Sequence, residues 1–228
     1  MKPARFAAAT ARGIRRSAPA ALLALALATT GALAEDATAT PGAASATAPI
    51  DQLMAPGLLP DIVQGSPSAA GAIIEYASMT CSHCAAFHAQ TWPGLKAKYV
   101  DTGKAKFILR EFPLDPLATA GFMLARCAGP DKRDAMIDRL FAQQESWAFV
   151  ARPIEPLLAL VEQAGMSRTD FDTCLNNQQL YDQINQSRDR AAQQFAIDST
   201  PTFFVNGRKL SGELAISDFD KVLQPSLK

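Results

Sequence analysis

The chain has 228 residues, of which 48% are hydrophobic and 19% charged, and its 22 basic residues balance its 22 acidic ones. A chain of this length can bury one sizeable core. Five of the basic residues lie within the first 34 positions, so the rest of the chain has 17 basic against 22 acidic residues. This excess of negative charge argues against nucleic acid as a partner.

The N-terminus predicts a secretory signal peptide over residues 1–34. Basic residues come first, followed by an Ala/Leu-rich run at about 18–28 and by Ala32-Leu33-Ala34. The apolar run has about 11 residues, whereas a membrane span needs roughly 20, so an uncleaved anchor is the weaker interpretation. The pair Arg15-Arg16 leaves twin-arginine export as a less favoured route. We expect cleavage after about Ala34, a periplasmic location and a mature protein without a membrane anchor.

Residues 35–57 are mostly Ala, Thr, Pro, Ser and Gly, a composition that predicts a flexible linker before a folded domain at 58–228. The pattern changes near Asp61, where a short strand and a turn at Gly65-Ser66-Pro67 are predicted. A buried strand follows at 72–77. The sequence MTCSHC comes directly after it.

This sequence places Cys81 and Cys84 three positions apart at the start of a predicted helix, 85–100, which Pro93 should kink. Unpaired backbone N–H groups and the helix dipole favour a thiolate at the first cysteine. The second, one turn further on, should be more buried and act as the resolving thiol. A disulfide between them would close a small ring and be easily transferred.

Two histidines accompany the cysteines. His83 lies between them, where its ring could stabilise the Cys81 thiolate and make the disulfide more oxidising; the alternative is a solvated loop residue. His88 is favoured as a packed or surface residue. Cys81, Cys84 and His88 could instead bind copper or zinc, but the sequence supplies no fourth ligand, and we assign no metal or cofactor.

The remainder of the chain predicts a strand, a block of helices, a strand hairpin and a last helix. In chain order, the strand is at 106–112, the helices at 117–127, 132–147, 154–164, 169–176 and 180–195, the hairpin strands at 202–205 and 208–211, and the last helix at about 216–223. Ser167 and Asp170 form a candidate capping box, and Asn206-Gly207 favours a two-residue hairpin turn.

Two further cysteines, Cys127 and Cys174, fall on helices of this block. In an exported protein an oxidising compartment favours a structural disulfide between them, with two buried free thiols as the alternative. The chain-entropy model assigns roughly 4 kcal/mol to such a cross-link.

YASMTCSHC after an apolar strand, with STPTFFVNG near the C-terminus and helices between, resembles the DsbA family of periplasmic thiol–disulfide oxidoreductases. The resemblance covers about residues 58–225. It implies an α/β protein with a thioredoxin fold, in which an all-helical insertion at about 115–196 separates an N-terminal strand-helix-strand half from a C-terminal strand hairpin and helix. It also implies a cis peptide bond before Pro201, opposite the dithiol, where the backbone of Thr200 pairs with substrate.

The resemblance assigns roles to charged residues as well. Glu75, six residues before Cys81, corresponds to an acid of the family. A buried carboxylate there should have a raised pKa and take the proton from Cys84. Arg110 on the neighbouring strand is a candidate counter-charge for Glu75, with a solvated arginine as the default.

The predicted activity is donation of the Cys81–Cys84 disulfide to newly exported proteins, followed by reoxidation by a membrane partner of the DsbB type. Two alternatives stay open. One is a disulfide isomerase or reductase of the same fold, which Thr200 mildly favours. The other is a periplasmic protein that binds or delivers copper or zinc.

Overall fold

The protein is described here by a computed structural model that covers residues 47–226, with side chains for 47–225. The predicted signal peptide and residues 35–46 of the predicted linker lie outside the described residues. In the described part of the chain, none of the helices has both the length and the apolar character that crossing a bilayer requires.

A five-stranded sheet forms the centre of the domain. Its strands are β1 (Val63–Gln64), β2 (Gly71–Ala77), β3 (Ala105–Glu111), β4 (Thr202–Val205) and β5 (Arg208–Ser211), in the spatial order β1-β3-β2-β4-β5. β2 and β3 are parallel, whereas the other pairs are antiparallel. All seven residues of β2 are buried, which agrees with its nearly continuous apolar sequence.

The helices lie around this sheet. They are α1 (Ile50–Leu53), α2 (Ser82–Gln90), α3 (Trp92–Leu95), α4 (Pro116–Cys127), α5 (Pro130–Ala142), α6 (Gln144–Trp147), α7 (Ile154–Glu162), α8 (Arg168–Leu175), α9 (Gln178–Phe195) and α10 (Ile216–Ser226). A π-helical turn, Lys96–Val100, follows α3. The predicted helix at 85–100 is therefore three consecutive segments, with Pro93 in the first turn of the second.

The predicted helical block is present between β3 and β4. The helix predicted at 132–147 is divided at Gln143 into α5 and α6. The capping box at the start of α8 is confirmed, since Ser167 Oγ accepts from the Asp170 N–H at 3.1 Å and Asp170 Oδ2 accepts from the Ser167 N–H at 3.3 Å.

The prediction of a flexible linker is wrong for residues 47–57. Thr47 forms a β-bridge with Arg208, and the Ala48 N–H donates to the Gly207 carbonyl at 2.9 Å. Leu53 of α1 is completely buried against an apolar cluster on one face of the sheet. Composition suggested a linker because most of these residues are small, but one well-placed leucine and an edge strand that accepts a bridge are enough to hold the segment.

The two faces of the sheet cover different apolar clusters. Ile74 and Tyr76 contribute to the smaller one, beside α1 and α9. Ile73, Phe107 and Phe203 contribute to the larger one, which also contains both cysteines of the CSHC sequence. Because side chains alternate along a strand, the odd-numbered residues of β2, including Glu75, face the dithiol.

Candidate active site

The two cysteines of CSHC lie where β2 leads into α2. Cys81 is the N-cap of α2, and its sulfur accepts a hydrogen bond from the Cys84 backbone N–H at 3.3 Å. Both residues are free thiols. Cys84 is completely buried, whereas Cys81 is 7% exposed. Cys84 is therefore the more deeply buried of the two, as the sequence predicts, and Cys81 keeps a small exposed fraction.

The environment separates the acidities of the two thiols. A hydrogen bond from the Cys84 side chain is the main cause that lowers the pKa of Cys81 to about 6; burial opposes this, and the backbone N–H groups of Cys84 and His83 add to the lowering. Burial, above all, raises the pKa of Cys84, and its hydrogen bond to Cys81 and the charge of Glu75 add to this. At neutral pH the first sulfur is therefore largely a thiolate and the second a thiol.

The Thr200–Pro201 peptide bond is cis, which confirms the prediction. The Cys81 sulfur lies 3.2 Å from the carbonyl oxygen of Thr200, to which its thiol form donates. The turn before β4 thereby lies directly against Cys81. The roles of Thr200 and Pro201 toward a substrate stay predictions.

A residue from the helical block supports the loop that carries the dithiol. The buried amide of Gln144, at the start of α6, donates to the carbonyl oxygens of Met79 at 2.8 Å and Cys81 at 3.1 Å. This contact could not be predicted from the sequence, because a single glutamine on a short helix carries no signal of what it touches. The helical block therefore helps to fix the conformation of the loop that leads into α2.

The predicted contact between the His83 ring and Cys81 is wrong. The side chain is 69% exposed, and its Nδ1 lies 3.3 Å from Glu213 Oε2. The backbone N–H of His83, not the ring, is the group that stabilises the Cys81 thiolate. In the first turn of a helix the N–H points along the helix axis toward the N-cap while the side chain points outward, which explains the difference.

A buried carboxylate–histidine pair lies on the inner side of the dithiol. Glu75 on β2 is completely buried, and its Oε2 accepts from His88 Nε2 at 2.9 Å. The His88 side chain is 4% exposed and stacks on Phe141, with 4.4 Å between ring centroids. Packing of His88 was among the alternatives from the sequence, but its pairing with Glu75 was missed. One signal was available, since His88 follows Cys84 by four residues and therefore lies on the same side of α2.

Arg110 is not the counter-charge of Glu75. In the register of β2 and β3, Glu75 is opposite Leu109 and Tyr76 is opposite Arg110, so Glu75 and Arg110 point to opposite faces of the sheet. Arg110 binds both oxygens of Asp61, at 2.9 and 2.6 Å, and donates to the Tyr76 hydroxyl at 2.9 Å. The prediction failed because it required the strand register, which the sequence does not fix.

Cys127 and Cys174 form a disulfide, as predicted, with their Cα atoms 6.1 Å apart. The bond joins the last residue of α4 to α8 inside the helical block. Its position identifies it as a cross-link between helices, separate from the dithiol at the start of α2.

Similarity to known proteins agrees with this geometry. The family model described as "Thioredoxin" matches residues 58–225. The chain belongs to the thioredoxin family. Among solved structures of that family, Wolbachia pipientis alpha-DsbA1 is 29% identical, with a TM-score of 0.70 over 78% of this chain and 97% of that one. A five-stranded mixed sheet with a helical block between β3 and β4 is thus the DsbA arrangement of the thioredoxin fold.

Two curated relatives are provisionally named protein-disulfide oxidoreductases. The Rickettsia conorii protein is 30% identical over 74% of this chain and 61% of its own length. The Rickettsia typhi protein is 32% identical over 64% of this chain and 55% of its own length. The matched region thus spans less than two thirds of either relative.

Proposed function

We propose that this thioredoxin-family chain is an exported thiol–disulfide oxidoreductase that donates its Cys81–Cys84 disulfide to reduced exported proteins. The observation that carries the proposal is the asymmetry of the dithiol: a thiol with a pKa of about 6 at the start of α2, beside a buried thiol whose pKa is raised. The names of the Rickettsia relatives and the similarity to Wolbachia alpha-DsbA1 support it.

The reaction follows from this asymmetry. A substrate thiolate attacks the Cys81 sulfur of the oxidised pair, the Cys81–Cys84 bond breaks, and the electron pair goes to Cys84, which takes up a proton. A mixed disulfide then joins substrate and Cys81. The second substrate thiolate attacks the substrate sulfur of that bond, and Cys81 leaves as the stable thiolate. The substrate gains a disulfide and the chain becomes the reduced dithiol.

An oxidase is favoured over a reductase because the structure stabilises the reduced state. Hydrogen bonds from the Cys84 thiol and from two backbone N–H groups favour the Cys81 thiolate, which exists only after the disulfide has been broken. Stabilising the reduced form raises the reduction potential and makes the disulfide a stronger oxidant. Thr200 before the cis proline keeps the isomerase alternative of the same fold as the second candidate.

The surroundings of the reaction are proposed from the sequence and the family. Residues 1–34 would direct export to the periplasm and be removed, leaving a chain in which residues 47–57 pack on the domain predicted at 58–228, with its helical insertion at about 115–196. Pro201 and the backbone of Thr200 would position the substrate strand beside Cys81, and a membrane protein of the DsbB type would return the pair to the disulfide. The copper or zinc alternative is disfavoured because, among the described residues, no three or more His, Cys, Asp or Glu side chains are grouped so that they could hold a metal ion.

The reduction potential of the Cys81–Cys84 pair tests the proposal. The purified mature chain is equilibrated with glutathione buffers, and a Cys81→Ser variant, which cannot form the bond, provides the baseline. We expect a value near that of DsbA, about −120 mV. A value near that of thioredoxin, about −270 mV, would instead assign the chain to the reductases. Stoichiometric copper or zinc on the reduced protein would favour metal delivery.

A further inference from the structure

The His88 ring connects two carboxylates in different surroundings. Its Nε2 donates to Glu75 Oε2 at 2.9 Å, and its Nδ1 lies 3.7 Å from Asp138 Oδ1 on α5. The side chain of Glu75 is completely buried, whereas that of Asp138 is 57% exposed. The imidazole thus stands between a buried carboxylate and an exposed one, with one nitrogen directed to each.

A pocket lies on the outer side of this ring. It has a volume of about 340 Å³, and its walls include His88, Asp138, Ala85, Ala89, Trp92 and Phe141. Small side chains at Ala85 and Ala89 leave the space open along α2. Nδ1 of His88 is itself buried and has no hydrogen-bond partner among the described residues, so a small movement of the pocket wall would bring water or a small base to it without passing the dithiol.

The proposed reaction requires a proton on the inner side. Each time the Cys81–Cys84 bond breaks, Cys84 receives an electron pair inside the protein, where its thiolate is unstable because burial, its hydrogen bond to Cys81 and the charge of Glu75 all raise its pKa. Glu75 is thus near enough to act on Cys84 electrostatically. Its Oε1 is buried and has no hydrogen-bond partner among the described residues, so this oxygen is free to carry a proton.

We propose that His88 is a positioning residue that passes protons between the buried Glu75 carboxylate and the solvent-exposed side of α2, by way of Asp138 and the adjoining pocket. The inference rests on the proposed disulfide exchange. When the disulfide breaks, Cys84 takes a proton from the Glu75–His88 pair, and the pair recovers one from solvent at Nδ1. When the disulfide is reformed, the same proton leaves by the reverse route.

The carboxylates around the ring favour a protonated imidazole, whereas the positive charge of Lys96 opposes it. Glu75 faces it from β2, Asp138 and Asp134 from α5, and Lys96 lines the same pocket from the π-helical turn. Burial alone would lower the pKa of His88, but the carboxylates of Glu75 and Asp138 raise it to about 9. The ring therefore holds a proton at neutral pH and can give it to a Cys84 thiolate, whose own pKa is raised.

Single-turnover oxidation of a short dithiol peptide by the oxidised protein provides the test. His88→Gln retains a donor toward Glu75 but cannot exchange protons, and we expect a loss of about tenfold or more in rate near neutral pH. The ratio of wild-type to variant rates should shrink above pH 9, where the ring loses its proton. In His88→Ala, added imidazole should restore rate by entering the pocket. A ratio within about twofold at every pH, or a slow His88→Ala protein that imidazole does not help, would overturn the proposal.

A second variant keeps the test decisive if the His88 variants fold poorly. Asp138→Asn changes an exposed side chain and should slow the same step by about threefold, whereas Asp131→Asn, an exposed carboxylate in the first turn of the same helix, should not. Equal rates for these two variants and the wild type would overturn the route through Asp138. If the wild type itself fails to oxidise the peptide, the proposed function fails instead, so the two failures are distinguishable.

Discussion

The parallel strands β2 and β3 each carry one buried glutamate, and the two differ in their partners. Glu111 of β3 has both oxygens bound by arginines: Arg126 donates to Oε1 at 2.7 Å and Oε2 at 3.0 Å, and Arg133 donates to Oε1 at 2.9 Å. Glu75 of β2 has one oxygen bound by His88 and the other without a partner in the described structure. An arginine does not release its proton in a protein, whereas a histidine does.

Glu111 and Glu75 are both buried, but their partners suit them to different roles. Burial opposes ionisation of Glu111, but the charges and hydrogen bonds of Arg133 and Arg126 lower its pKa to about 2. It is a fixed anion that holds α4 and α5 against the sheet. Glu75 and His88 form a pair in which a proton can move, and that pair lies beside Cys84. Partner chemistry, rather than burial, separates a structural carboxylate from one suited to proton transfer.

Breaking the Glu111 cluster (Glu111, Arg126 and Arg133) should have the largest effect on stability. Glu111→Gln leaves Arg133, which is 1% exposed, with the Asp134 carboxylate at 3.3 Å as its remaining counter-charge, and we expect a loss of about 4 kcal/mol in the free energy of unfolding. Urea denaturation measures it. Alkylation of Cys81 in the folded variant should stay unchanged. A loss below about 1 kcal/mol would mean that the arginines find other partners.

The second-largest loss of stability should follow removal of the disulfide between α4 and α8. The Cys127→Ala, Cys174→Ala double variant loses a disulfide that spans 47 residues, and we expect a cost of about 3 kcal/mol, below the chain-entropy figure because the reduced denatured state retains some structure. Thermal unfolding measures the cost, with the reduction potential of Cys81–Cys84 as the control. A large change in that potential would contradict a purely structural role.

Changing the other glutamate should affect stability less and chemistry more. Glu75→Gln keeps the shape and one acceptor for His88 but removes the negative charge, and we expect a loss of about 2 kcal/mol. The pKa of His88, followed by its imidazole signals in proton NMR, should fall below the wild-type value because the charge of Glu75 helps to raise it. An unchanged pKa of His88 would mean that the charge of Glu75 does not act on the ring, and the two residues could not then be treated as a pair.

The smallest expected effect concerns the pH dependence of stability, to which Glu111 and His88 should contribute in opposite directions. The folded pKa of Glu111 lies below its ordinary value of 4.5, so its contribution is present above pH 4.5 and is lost as pH falls through about 2. The folded pKa of His88 lies above 6.5, so its contribution is present below pH 6.5 and is lost as pH rises through about 9. In denaturation curves across pH, Glu111→Gln should remove the acid dependence and His88→Gln the alkaline one. Variants that keep both would refute the assignment.

Local patterns in the sequence predict most of the elements that position the site. The apolar run before CSHC predicts β2, Asn206-Gly207 predicts the β4–β5 hairpin, and Ser167 with Asp170 predicts the start of α8. The cis bond before Pro201 came from the family resemblance. These features depend on neighbouring residues or on a recognisable sequence.

Contacts between distant elements could not be predicted from local sequence patterns. The Glu75–His88 pair depends on how α2 packs on β2, the Arg110–Asp61 pair on the register of β3, and the Gln144 contact on where the helical block meets the dithiol loop. The outward orientation of His83 depends on its position in the first turn of α2. Each is decided by tertiary packing, which hydrophobic periodicity does not encode.

The proposed disulfide exchange requires Cys81 to be a thiolate in the reduced protein, and its rate of alkylation measures this directly. Iodoacetamide reacts with the thiolate only, so the rate of Cys81 modification across pH follows its ionisation. We expect a midpoint near pH 6, with Cys84 unmodified because it is completely buried. A midpoint near 9, the ordinary value for this thiol, would contradict a stabilised thiolate at Cys81.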